Sequence, residues 1–172
     1  MSATSPTMAS EVETEMARYF AAERAESAVV LACAAGAAAI AAALVALRSP
    51  YRGMAWPLVA VGLVQLAAGG TVFLRTPGQM ARLRRQLRSS SAAYSAEEAA
   101  RMRRVQRRFV LYKRVEIALL ALGLAFASIE SYGRTLYAVG LGLILEAGLM
   151  LALDLRAERR GHRYLQAVKS LG

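Results

Sequence analysis

The chain has 172 residues, the length of one ordinary domain, and 56% of them are hydrophobic. It carries 22 Lys and Arg against 12 Asp and Glu, for a formal net charge of +10, yet its mean hydropathy is +0.35. Nucleic-acid-binding proteins are basic but do not need long uncharged segments, whereas bilayer-spanning proteins need them and favour Lys and Arg in their cytoplasmic segments. The composition therefore argues against a nucleic-acid partner, and the single cysteine, Cys33, excludes an intrachain disulfide or a Cys-rich metal site.

The N-terminal segment predicts a helix that continues into a membrane span. Residues 1–16 lack the basic region of a cleavable signal, so we expect the first apolar run to be retained. Ser10 followed by Glu13 fits a capping box and predicts the start of the helix. The run 28–47 is uncharged, and a helix of that length rises ~30 Å, the thickness of the hydrocarbon layer.

Three further runs complete a predicted set of four spans. The second covers 54–74 and is joined to the first by RSPYRG, a Pro/Gly turn that predicts a tight hairpin. The third, 112–131, is the weakest because its uncharged core covers only 117–129. The fourth covers 135–154 and follows another short turn.

The segment 75–111 is rich in arginine. Within it Met80, Leu83 and Leu87 form one helical stripe that is surrounded by arginines. Such an amphipathic helix can lie on an anionic leaflet, at ~1 kcal/mol per basic residue near the surface. The residues of this lipid-binding hypothesis are Arg82, Arg84, Arg85 and Arg88. The competing interpretation is that these arginines only fix the topology, and SSSAAYS, 89–95, predicts a flexible joint after them.

The helices are predicted to extend beyond the membrane. A second capping box, Ser95 with Glu98, predicts a helix that enters span three. The helical pattern of span four continues after residue 154, so we expect a cytoplasmic helical stalk.

Charge predicts the orientation of the spans. Of the 22 basic residues, 19 lie in the termini and in 75–114, and three in the short loops. The positive-inside rule places both termini and the basic loop in the cytoplasm. Abundant Arg and Ala indicate a bacterial protein, hence an inner-membrane location.

One carboxylate stands in the middle of span four. Glu146 lies in GLGLILEAGLMLAL, and Gln65 lies at similar depth in span two. A mid-membrane carboxylate costs on the order of 3 kcal/mol on insertion scales and must face protein or water. Small residues flank both positions and would let the helices approach, after which a protonated carboxyl could exchange hydrogen bonds with the amide. Two interpretations stay open: a proton or cation site, or interhelical stabilisation.

A second group of polar residues is expected at the cytoplasmic mouth of the bundle, facing one axis. Its members are Glu23, Glu26, Glu116, Asp154, Glu158 and His162. Carboxylates with a His suggest a metal site, but the Glu-x-x-His repeat of di-iron bundles is absent from the sequence. We therefore favour ion pairs with nearby arginines, and we expect no metal and no cofactor.

Several phrases of the chain resemble those of small four-span bacterial inner-membrane proteins, a family with no known activity. These phrases are ERAE (23–26), SPYRGMAWP (49–57), FLRTPGQ (73–79) and LDLRAERRGHRYL (153–165). The resemblance implies the topology and carries no site or ligand.

These observations predict an all-α membrane protein, a four-transmembrane-helix bundle with cytoplasmic helical extensions, in a single membrane domain. No nucleophile, base and acid set is visible, so an enzyme is not favoured, and a metal-dependent membrane enzyme is kept only as the third hypothesis. The leading hypothesis is a small oligomeric channel-like or transport-related protein with Glu146 and Gln65 as its polar step. The alternative is a non-catalytic scaffold or partner subunit whose basic face engages anionic lipid or protein. Expected partners are the lipid bilayer, anionic lipids, further copies of the chain and a possible protein partner, with no nucleic acid.

Overall fold

The computed structural model describes residues 6–129 and 133–171. Over these ranges the chain forms four long α-helices and no strand, so the all-α prediction is confirmed. The helices are α1 (Pro6–Ala46), α2 (Ala55–Ser89), α3 (Ser91–Ser128) and α4 (Gly133–Lys169), with a 3-10 turn at Arg52–Met54.

Two antiparallel hairpins make up the bundle. The most extensive contacts are those between α1 and α2 and between α3 and α4. The helix α4 also contacts α1, α2 and the 3-10 turn. The helix α1 has 41 residues and α2 has 35, which at 1.5 Å per residue is about 60 Å and about 50 Å. The hydrocarbon layer is only ~30 Å thick, so each helix is long enough to cross it and project beyond it.

The two ends of the bundle bury different residues. The end that holds the start of α1, the end of α4 and the α2–α3 turn, which we name the stalk, contains a conventional apolar core. Its fully or nearly fully buried side chains are Val12, Met16, Tyr19, Phe20, Leu83, Leu87, Tyr94, Ala99, Met102, Tyr164, Leu165, Val168 and Leu171. Outside the stalk many large apolar side chains are exposed, including Leu47 (79%), Trp56 (78%) and Leu74 (79%). Exposed apolar surface on this scale is expected where lipid surrounds a protein.

Three helices of the described chain are long and apolar enough to cross a membrane. They lie within Ser10–Ala46, Arg52–Ser89 and Gly133–Lys169. The helix α3 is not among them, because Lys113, Arg114 and Glu116 interrupt its apolar part. The last two residues of the third predicted span, 130–131, lie outside the described residues.

Both predicted helix starts are wrong. The helix α1 begins at Pro6, before the Ser10 capping box. The helix α3 begins at Ser91, and the Ser90 side chain accepts a hydrogen bond from the Ala93 amide at 3.3 Å. Ser95 lies inside α3, where its hydroxyl donates to the Val168 carbonyl of α4 at 2.9 Å. A serine buried against a neighbouring helix has the same local pattern as a cap, so the sequence alone could not separate them.

The predicted surface helix and the joint after it are also corrected. The helix α2 continues past Pro77 to Ser89 without a break, so 80–88 is part of it. Leu83 and Leu87 lie in the stalk core, where the bundle covers their stripe in place of lipid. The break between α2 and α3 is confined to Ser90, and the segment predicted as a loop, 75–111, is a helical hairpin.

Candidate functional site

The two polar residues predicted at mid-membrane depth are hydrogen-bonded to each other. The Gln65 amide nitrogen donates to Glu146 Oε2 at 2.6 Å, joining α2 to α4. The two residues are 1% and 3% exposed, in the half of the bundle whose outer surface is apolar. The bond shows that the two side chains meet, and the proton or cation role remains a prediction.

Glycines let the helices around this pair approach closely. A Cβ on Gly142, one turn from Glu146, would lie 2.5 Å from Pro57 Cγ, so α4 and α2 are in direct contact there. On α2, Gly69 faces α1, where a Cβ would lie 3.2 Å from Val30 Cγ1. The helix α2 is therefore packed against α4 on one side and against α1 on the other. The buried Gln65 side chain lies on α2 between these two contacts.

The hydrogen bonding of Gln65 is incomplete. Its Oε1 atom is buried and has no hydrogen-bond partner in the described part of the chain. The amide has a donor end and an acceptor end, which exchange places when the amide flips. In one orientation the amide donates to a carboxylate, and in the other its oxygen accepts from a protonated carboxyl. Gln65 can therefore keep one hydrogen bond to Glu146 in either protonation state.

The residues predicted at the cytoplasmic mouth take part in several separate contacts. Glu26 forms a bidentate ion pair with Arg160, and Glu158 accepts two hydrogen bonds from Lys113, at 2.7 and 2.8 Å. Glu23 accepts from Thr76 at 3.1 Å. The predicted ion pairs are thus present for Glu26 and Glu158. Their basic partners are Arg160 and Lys113, which lie on other helices, and not the arginines nearest to these acids in the sequence.

The remaining members of the predicted group separate into a buried pair and an exposed histidine. Glu116 is 8% exposed, its Oε2 atom has no hydrogen-bond partner among the described residues, and its side chain interacts with Asp154. His162 is exposed, with Nδ1 3.3 Å from the Glu158 carbonyl oxygen. Over the described residues, no three His, Cys, Asp or Glu side chains are grouped so that they could hold a metal ion.

A buried polar network in the stalk was not predicted. The hydroxyls of Tyr94 and Tyr164 lie 2.7 Å apart, and Glu98, 2% exposed, accepts two hydrogen bonds from Arg101 at 2.6 and 2.7 Å. Burial raises the pKa of Tyr94 to about 12 and also raises the pKa of Tyr164. Tyr94 falls in the serine-rich segment that the sequence presents as a joint, and only its aromatic character signals burial.

Three arginines of the lipid-binding hypothesis, Arg82, Arg85 and Arg88, are exposed, and Arg84 is half-buried. Arg84 and Arg88 both pair with Glu13 of α1, at 3.6 and 3.2 Å. Arg82 and Arg85 are exposed and line an open groove between α2 and α3, together with Gln86, Ser89 and Glu97. Lipid binding by these arginines remains a prediction. The apolar stripe of the same helix, Met80, Leu83 and Leu87, is packed in the stalk core and is therefore not free to bind a membrane surface.

No known protein family, curated protein sequence or solved structure matches this chain.

Proposed function

We propose that all four helices cross the inner membrane of a bacterium, with both termini and the stalk in the cytoplasm. Support for the fourth crossing comes from the pairing of α3 with α4, which places the uncharged run 117–129 beside the apolar part of α4. On α3, Ile117, Leu122 and Leu124 are exposed, as side chains facing lipid would be. The distribution of basic residues supports the orientation.

Within this topology we propose a transport-related function in which Glu146 binds and releases a proton, with Gln65 as its hydrogen-bond partner. The observation that carries the proposal is the 2.6 Å hydrogen bond between two buried polar side chains inside the apolar half of the bundle. A metal cation needs several oxygen ligands or its own water, and the enclosed pair offers few of either. A proton needs only the carboxyl group, so the geometry favours a proton over a hydrated cation.

Further carboxyl groups lie between this pair and the cytoplasmic end of the spans. Asp154 is eight residues beyond Glu146 on α4, about 12 Å along the helix axis. Its neighbour Glu116 is buried, and Glu158 follows one turn later on α4. Such a series provides positions at which a proton could pause on the cytoplasmic side, while the outward route would pass between copies of the chain in a homo-oligomer.

Proton flux into liposomes tests this proposal. We expect purified protein to carry protons into liposomes that contain a pH-sensitive dye, and we expect Glu146→Gln to reduce the rate to that of empty liposomes. Glu15→Gln is the matched control, because it removes a partly exposed stalk carboxylate by the same isosteric change. Equal flux through wild type and Glu146→Gln would refute the role of Glu146.

A second candidate function is a non-catalytic membrane scaffold or partner subunit. It is favoured by a specific observation, the exposed arginines of the stalk that have no acidic partner in the described chain, Arg82 and Arg85 among them. Under this function Glu146 and Gln65 hold α2 and α4 together, and Glu146→Gln leaves partner binding unchanged.

A further inference from the structure

The stalk has one open side, between α2 and α3. Each of these helices packs tightly along its hairpin partner, α1 or α4, but they contact each other far less. The groove that this leaves near the α2–α3 turn is lined by Arg82, Arg85, Gln86, Ser89 and Glu97.

The groove is basic, and its arginines are not neutralised within the described chain. Arg82 and Arg85 have no ion pair there, in contrast to Arg84 and Arg88, which share Glu13. The one acid in the lining, Glu97, accepts a hydrogen bond from Gln86 at 2.7 Å.

The basic character continues along α3 towards the membrane. Arg104 and Arg108 follow Glu97 by seven and eleven residues, so they share its helical face, and both are exposed. Together with Arg82 and Arg85, which line the groove, they form a basic strip. We name the groove and this strip beside it the arginine groove.

The two α2 arginines of the arginine groove lie beyond the end of the second span. At 1.5 Å per residue, Arg82 and Arg85 lie about 12 Å and about 17 Å beyond the end of the second span at residue 74. The Debye length at physiological salt is about 8 Å, so salt weakens the attraction between these two guanidinium groups and the headgroups of that membrane. An acidic group in the cytoplasm can reach both side chains, because both are exposed.

We propose that the arginine groove binds an acidic segment of a cytoplasmic protein. This inference rests on the second candidate function, the scaffold or partner subunit. Guanidinium groups pair with carboxylates through two parallel hydrogen bonds, and a strip of four along the stalk fits an elongated segment bearing several Asp or Glu. A nucleic-acid strand fits less well, because the groove lining contains no aromatic side chain on which bases could stack.

Fluorescence anisotropy of a labelled oligoglutamate peptide, with the full-length protein in nanodiscs of uncharged lipid, tests the inference. We expect Arg82→Gln combined with Arg85→Gln to weaken binding by at least about tenfold, because charge-assisted hydrogen bonds are lost. The matched control is Arg103→Gln with Arg107→Gln, which removes the same charge from exposed positions on a different face of α3. We expect the control to bind nearly as well as wild type, and both double variants to keep the thermal midpoint of wild type.

Each alternative result has a distinct meaning. Equal loss in both double variants would show that net charge alone attracts the peptide, and no binding at all would show that the groove holds no acidic segment. Either result overturns the arginine groove, and the second leaves the scaffold function to another surface of the chain. Loss in the Arg103 and Arg107 variant alone would keep the scaffold function and move its surface. Binding to phosphatidylglycerol vesicles or to an oligonucleotide that depends on Arg82 and Arg85, and that is tighter than binding to the peptide, would overturn the proposal that the occupant is a protein segment. Glu146→Gln should bind the peptide like wild type, so this test is independent of proton flux.

Discussion

Single residues decide how closely the helices of this bundle approach. At Gly140 an added Cβ would lie 2.6 Å from the Gly123 carbonyl oxygen and 2.8 Å from the Ala127 nitrogen, so backbone meets backbone where α3 crosses α4. Sequence reasoning matched Gln65 to Glu146 because both are polar and equally deep in apolar runs. It could not find the Gly123–Gly140 contact, because a glycine in an apolar helix has the same appearance whether it faces a helix or lipid.

Gly140→Ala tests that contact. The neighbouring atoms belong to the backbone and cannot rotate away, so we expect a loss of about 1–3 kcal/mol of stability from overpacking. The control is Gly148→Ala on the same helix, where an added Cβ meets nothing within 4 Å. Thermal unfolding in one detergent should show a clearly lower midpoint for the first variant and little change for the second. Similar midpoints for the two would mean that α3 and α4 are not in backbone contact at this crossing.

At the scale of elements, sequence patterns predicted helices well and predicted their surroundings poorly. The period of Met80, Leu83 and Leu87 is helical, and the helix is real, but a stripe of this kind is satisfied equally by lipid or by another helix. The stalk supplies the other helices, and Tyr94 and Tyr164 fill the space between them. Long-range packing of this kind leaves no local signature, which is why the burial of Leu83 and Leu87 in the stalk core and the tyrosine pair were missed.

The buried tyrosines predict how the stalk responds to alkali. Burial raises the pKa of Tyr94 from 10.0 to about 12, so the folded stalk holds the neutral phenol more tightly than the unfolded chain does. This contribution to stability is complete below about pH 10 and is lost as pH rises towards 12, because the unfolded state releases its proton first. Thermal midpoints measured across this range should fall more steeply for wild type than for Tyr94→Phe. Parallel curves would show that Tyr94 ionises equally in both states.

At the scale of the whole molecule, the distribution of burial distinguishes two environments. The largest fully buried side chains, such as Tyr94, Tyr164 and Phe20, lie in the stalk, while Trp56 and Leu74, outside the stalk, are exposed. Composition alone identifies three helices that could cross a membrane, and α3 falls short because of its charges. The packing offers a reason why α3 could still cross.

The charges at the start of the apolar part of α3 are met by α4. Lys113 pairs with Glu158, and Glu116 lies against Asp154. Partners on a neighbouring helix reduce the cost of carrying ionisable groups to the membrane interface, where long basic side chains also reach outward to water. A hydropathy scale scores each residue of α3 by itself. It therefore cannot include the reduced cost of these charged residues, which depends on the packing of α3 on α4.

Cysteine labelling in intact cells decides whether α3 crosses. Single cysteines are placed at Arg52 in the α1–α2 turn, at Ser90 in the α2–α3 turn and at Arg134 at the start of α4, in a Cys33→Ala background; all three positions are exposed. With four spans, a membrane-impermeant thiol reagent should label Arg52→Cys and Arg134→Cys in intact cells, and Ser90→Cys only after permeabilisation. Labelling of Arg134→Cys only after permeabilisation would show that α3 stays in the cytoplasm, and a fully inverted pattern would reverse the orientation. The Cys33→Ala protein without an added cysteine gives the background signal. Arg52 and Arg134 belong to different hairpins, so labelling of both positions from outside would establish that both hairpins cross the bilayer.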